Sequence, residues 1–319
     1  MTTPSTPSTP PTPQAPYQQQ AYQQPPAPQQ HGQGVQGVQG VQGVQGVQGV
    51  QGVQGGYYTS PIPVRPATLG DAIASEWTKI RSVRSTMWTL GVMIVLLLVI
   101  GVLSAVAVSA SDADIGTTPV LSLGFFGVLL GTICVITLGV MTIASEYGTG
   151  MIRTTLTASP SRARVLSAKA IVFFLLTFVL TTVMTTIVAL LQTSILDAAA
   201  PTGDEWLRST VGVGLYLATL GLLSLAVGAL IRHSAGAITI MIGVVLLPLV
   251  LAIFMFAESL RSIQEWLLEY SIPNQLSIFY DNSVTSSGGP SGWDPLWIML
   301  GVTAVALGGA FLAMNNRDV

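Results

Sequence analysis

Six apolar runs dominate the chain from residue 87 onward, at about residues 87–109, 119–143, 170–192, 209–231, 235–256 and 296–314. Each is close to the roughly 20 residues that an α-helix needs to cross the hydrocarbon of a bilayer. None of the runs contains Asp, Glu, Lys, Arg or His. The pattern predicts an all-α, polytopic integral membrane protein with six transmembrane helices. Pro248 predicts a kink in the fifth of them.

The polar stretches between these runs also carry periodicity. In residues 68–86, Leu69, Ile73, Trp77, Ile80 and Val83 recur at spacings of three and four, which predicts an amphipathic helix on the membrane surface. Thr68 and Asp71 are spaced as a capping box at its start. Glu76, Trp77, Lys79, Arg81 and Arg84 are its expected surface-contacting residues, with Trp77 at headgroup depth. Between the fifth and sixth runs, Leu260, Ile263, Trp266, Leu267 and Tyr270 predict a second interfacial helix, ended by Pro273. Gly288, Gly289 and Pro290 then predict a turn before the last span. Residues 1–67 have no such pattern. They are rich in Pro, Gln, Thr and Ser, and a Gly-Val-Gln triplet repeats from Gly34 to Gln54. That segment lacks the apolar surface to offset its ordering entropy, so it reads as a disordered tail ahead of a six-span domain at residues 68–319.

Composition agrees with a bilayer as solvent. Hydrophobic residues form 50% of the 319-residue chain and charged residues 8%, with mean hydropathy +0.63. Soluble domains carry about 25% charged residues. The single cysteine, Cys134, lies inside an apolar run and reads as a packing residue. Met1 is followed by polar residues rather than by a basic patch and an apolar core, so the first run is expected to act as an uncleaved signal-anchor.

Charge supplies a direction. With the N-terminus in the cytoplasm, the inner segments hold Arg65, Lys79, Arg81, Arg84, Arg153, Arg162, Arg164, Lys169, Arg232 and Arg317. Only Arg208 and Arg261 fall outside, so ten of the twelve basic residues lie within, as the positive-inside rule requires. Asp112, Asp114, Asp197, Asp204, Glu205, Glu258, Glu265, Glu269, Asp281 and Asp294 fall on the opposite side. Both termini are then cytoplasmic.

Residues 144–169 form the second inner segment and the most informative stretch. Gly148 and Gly150 are expected to break the second span, Met151 to Thr157 to form a short helix, and Ser159 with Pro160 to cap the next one. Such a short helix between two spans suits the docking of a soluble partner. Glu146, Tyr147, Gly150, Arg153, Thr155, Leu156, Pro160, Arg162 and Lys169 closely resemble the cytoplasmic motif of type-two, exporter-like ABC transporter permeases, common in bacterial drug and antibiotic export. The stretch from Ser75 to Arg84 is similar to the membrane-surface helix of the same family, and the resemblance spans residues 68–319.

The resemblance implies a multi-pass protein of the bacterial cell membrane, two six-span subunits (identical or related) forming an export pathway, and a separate ATPase that binds ATP. It implies that Glu146, Tyr147, Gly150, Arg153, Thr155, Pro160 and Arg162 couple to that ATPase, with Glu146 and Arg153 as its polar contacts. A local ion pair or a lipid-phosphate contact is the plainer reading of those two. The residues speak independently for a separate ATPase. A phosphate-cradling loop needs Gly-x-x-x-x-Gly-Lys-Ser/Thr, and neither Lys79 nor Lys169, the two lysines, is preceded by Gly or followed by Ser or Thr. No enzymatic activity of the chain itself and no cofactor is expected.

Thr177, Thr181 and Thr185 recur every four residues on the third span and fit either a pathway lining or helix-to-helix packing. Gly127 and Gly131 form a small-xxx-small pair on the second. His31 and His233 have no carboxylate or cysteine cluster nearby in sequence, so no metal site is expected, and nothing points to nucleic acid. Three other classes compete. An ion-coupled transporter generally places ionisable groups in its spans, and an intramembrane enzyme needs catalytic groups there. Spans free of such groups count against both. A membrane anchor or regulator is the remaining alternative.

Overall fold

A computed structural model describes residues 67–111, 118–159, 161–196, 199–282 and 289–316. The expected tail with its repeats lies outside them, as do Arg65, Asp112, Asp114, Pro160, Asp197, Gly288 and Arg317. The described residues are helical, without strands. In order they form α1 Leu69–Ser82, α2 Arg84–Ala110, α3 Phe125–Gly148, α4 Met151–Ala158, α5 Arg162–Ile195, α6 Gly203–Leu207, α7 Val213–Ile231, α8 Ser234–Ile253, α9 Arg261–Glu269, α10 Ile272–Ile278 and α11 Asp294–Asn316. A 3-10 turn, Val120–Gly124, leads into α3, and a π turn, Arg208–Gly212, joins α6 to α7.

Six of these helices are long and apolar enough to span a membrane: α2, α3, α5, α7 with the α6 segment before it, α8 and α11. The predicted runs lie inside them, except at the second, whose first residues form the 3-10 turn before α3, and at the fifth, where α8 ends at Ile253 and passes through Pro248 without interruption. The helices overshoot the runs most at α5. Its 34 residues make a rod of about 50 Å, against about 30 Å of hydrocarbon. The first turns of α5, Arg162 to Lys169, are part of this excess.

The core is built around α7. Of its most apolar window 72% is buried, against 22% for α2, α8 and α11. Helices α3, α5 and α11 surround it. In a bilayer the apolar effect does not drive helices together, so close backbone approach and dispersion must. Gly139 and Gly221 provide that approach. A Cβ on Gly139 would stand 2.4 Å from the Gly221 carbonyl oxygen, so α3 and α7 cross in backbone contact. Gly127 meets α2 in the same way, 3.1 Å from the Leu97 carbonyl, so it serves packing inside the chain.

At the far end of the bundle, α9 forms a helix where the second interfacial helix is expected, with Ile263 and Trp266 exposed. It ends at Glu269, before Pro273. Pro273 instead opens α10, at the start of a helix where a missing N–H costs nothing. All seven residues of α10 are buried. Its polar side chains are paired: the Gln275 side-chain amide donates to Tyr270 O (2.9 Å), the Asn274 amide to Glu269 O (3.0 Å), and the Tyr216 hydroxyl to Gln275 Oε1 (3.3 Å).

Candidate functional site

The expected docking segment is a helix–turn–helix corner at the other end. Helix α3 runs to Gly148, and Gly150 takes a left-handed backbone conformation (φ 72°) that turns the chain into α4. Ile152 buries one face of α4, while Met151, Arg153, Thr154 and Thr157 stay exposed. Helix α5 starts later than expected. Its N-cap is Ser161, whose Oγ accepts from Arg164 N (3.3 Å), whereas Ser159 closes α4.

Four charged side chains meet behind this corner. Lys169 Nζ donates to Glu146 Oε1 at 2.6 Å, to Glu76 Oε2 at 2.7 Å and to the Thr142 carbonyl at 3.3 Å. Lys79 Nζ donates to Glu76 Oε1 at 2.7 Å and to Glu146 Oε1 at 2.9 Å. Thr155 of α4 completes the set, accepting from Lys79 at 3.4 Å and donating to Glu146 Oε2 at 3.5 Å. Carboxylates and ammoniums thus alternate, each carboxylate touching both lysines. The side chain of Lys169 is 1% exposed and those of Glu76 and Glu146 7% each.

The cluster joins α1, α3, α4 and α5. It also explains how α1 is held. Glu76 is the only fully buried residue of α1, while Leu69, Trp77 and Val83 of its apolar stripe remain exposed. A carboxylate fastens this helix, and these three apolar side chains stay uncovered. The capping box expected at Thr68 is formed, with Thr68 N donating to Asp71 Oδ2 (2.9 Å) and Asp71 N to Thr68 Oγ1 (3.3 Å). At Lys79, burial opposes the charged form, but the hydrogen bonds and charges of Glu76 and Glu146 outweigh it and raise its pKa above the ordinary 10.5.

Other expected residues lie around this cluster. The Tyr147 ring sits under the Arg232 guanidinium, 4.9 Å from its carbon, a cation–π contact between α3 and the α7–α8 turn. Arg162 donates to the Met314 carbonyl and ties the start of α5 to the end of α11. Arg153 projects outward and makes no side-chain hydrogen bond or ion pair among the described residues. Trp77, Arg81 and Arg84 are exposed. Thr177, Thr181 and Thr185 are buried within the chain, and the Thr185 hydroxyl donates to the Thr181 carbonyl at 2.9 Å. Pro160 lies outside the described residues.

Sequence reasoning placed Glu76 and Lys79 on the membrane-facing helix and Glu146 toward a partner. It did not assemble them, and it counted Lys169 only as a motif residue and an inner positive charge. The one local signal was the three-residue spacing of Glu76 and Lys79, which puts them on one helical face. Two hollows flank the cluster. One, of about 330 Å³, opens between α1, α4 and the start of α5; the other, of about 310 Å³, lies between α1 and the end of α3.

The corner thus joins α1, α3 and α5 through buried charges, and α4 to them through the Thr155 hydroxyl. The model of the family described as "ABC-2 family transporter protein" matches residues 72–249, more than half of the chain and including all four charged residues. None of the curated proteins matches the chain.

Proposed function

This chain belongs to the ABC-2 family of transporter proteins, and on that premise we propose that it is the permease subunit of an ATP-driven exporter, powered by a separate ATPase that docks on α4. Two such subunits form the pathway across a bacterial cell membrane, with the α4 end of the bundle in the cytoplasm. The observation that carries this reading is the buried cluster of Glu76, Lys79, Glu146 and Lys169, which ties α1, α3 and α5 together directly behind the short exposed helix α4 and is hydrogen-bonded to it through Thr155. In this reading Arg153 and its exposed neighbours on α4 meet the ATPase. Glu146 acts behind them by passing the displacement to the spans. The distribution of basic residues supports the orientation, and the absence of a phosphate-cradling motif supports a separate ATPase.

Arg153→Glu tests the docking face. Arg153 makes no side-chain hydrogen bond or ion pair among the described residues, so the variant is expected to insert and fold normally while its copurification with the ATPase falls by about tenfold or more, as for a reversed charge at a contact. Unchanged copurification with unchanged transport rules out α4 as the docking element.

A further inference from the structure

The elbow between α1 and α2 gathers charge of a different kind. The chain turns at Val83, and a hollow of about 250 Å³ opens there, lined by Arg81, Ser82, Arg84, Met87 and Trp88. Both arginines are exposed, and neither makes a side-chain hydrogen bond or ion pair among the described residues. The acids of α1 are engaged elsewhere: Asp71 caps Thr68, and Glu76 holds the two lysines. The first turn of α2 has no acid. Lys79, two positions before Arg81, is drawn into the cluster, so the elbow's charge is that of the two guanidiniums.

Apolar surface continues directly from this hollow. Trp88 is 76% exposed, and Val92, Val95, Val99 and Leu103 lie open on the same face of α2, at spacings of three and four. Two guanidiniums without a partner among the described residues therefore stand beside an exposed indole and a long apolar stripe.

We propose that this hollow binds the phosphate of an anionic phospholipid, whose acyl chain lies along Trp88, Val92, Val95 and Val99. Guanidinium groups match phosphate oxygens in pairs. An indole beside them suits the boundary between headgroup and chain. A soluble phosphate would engage the arginines and leave the apolar stripe unused; a phospholipid uses both. The inference rests on the chain's crossing a membrane and is independent of any ATPase docked on α4.

The test uses the full chain in nanodiscs of phosphatidylcholine with a minority of phosphatidylglycerol. Lipids retained on the protein are identified by native mass spectrometry. The wild type is expected to enrich phosphatidylglycerol over the bulk, and R81Q/R84Q to lose about fivefold of that enrichment per arginine. R81K/R84K is expected to fall between the two, because it keeps the charge and loses the paired donors. Phosphatidylglycerol with brominated chains should quench tryptophan emission more than brominated phosphatidylcholine does, and Trp88→Phe should remove that excess. Equal enrichment in the wild type and R81Q/R84Q overturns the proposal. So does release of the retained lipid by inorganic phosphate, which marks a soluble-anion site.

Discussion

Ion pairs join distant segments at both ends of the bundle, in opposite surroundings. At the α4 end, Lys169 is sealed between two carboxylates and away from water. At the other end, Arg208 grips Asp281 with two hydrogen bonds of 2.6 Å and Asp204 with one of 2.7 Å. Those carboxylates are 37% and 63% exposed. The geometry of the exposed set is as good as that of the buried one, but water competes for its charges. The difference teaches that an ion pair's mechanical role follows from its desolvation. The exposed set ties α6 to the end of α10, whereas the buried set ties α1, α3 and α5 together, with Thr155 of α4 hydrogen-bonded to it. At the exposed end, burial is left to neutral amides and hydroxyls on α10, each with a partner.

The comparison breaks most sharply at Lys169. Lys169→Met leaves two buried carboxylates facing one lysine and is expected to lower unfolding free energy by about 3–5 kcal/mol, measured by denaturant titration in detergent. Adding Glu76→Gln should recover a large part of the loss, because Glu146 keeps Lys79. A Lys169→Met cost below that of Arg208→Gln would invert the ranking of the two ends. Arg208→Gln should cost about 1 kcal/mol or less, a difference that shrinks as salt is added. The smallest effect concerns pH. Because the pKa of Lys79 is raised on folding, its contribution is complete below the ordinary value of 10.5 and is lost as pH rises through the raised value. Unfolding midpoints of the wild type and Lys79→Met should therefore differ by a constant amount through the neutral range and converge only at strongly alkaline pH.

The spans were legible because a bilayer tolerates so few alternatives: long runs without ionisable residues have nowhere else to go. What holds their ends was less legible. Helix α3 ends at Gly148, where the two glycines were expected to break it, but Glu146 in its last turns is neutralised by lysines 67 and 23 positions away in sequence. Nothing local announces those partners. The same distance hid Lys169, which looked like one more inner charge. Helix α10 escaped for another reason. Asn274, Gln275 and Ser277 read as loop residues, and only the carbonyls and hydroxyls folded around them make their burial tolerable. The stripe on α1 was read correctly as a pattern, but its anchoring was not, since an amphipathic wheel says nothing of a helix fastened by its polar side.

Two carboxylates and two ammoniums sum to zero. A lone charge carried across the full membrane potential does electrical work of about 2.3 kcal/mol per 100 mV. The four charges of the joint between α1, α3, α4 and α5 therefore add no electrical work of their own to any displacement across a membrane potential, and what remains is set by the arginines outside it, Arg153 on α4 and Arg162 and Arg164 on α5.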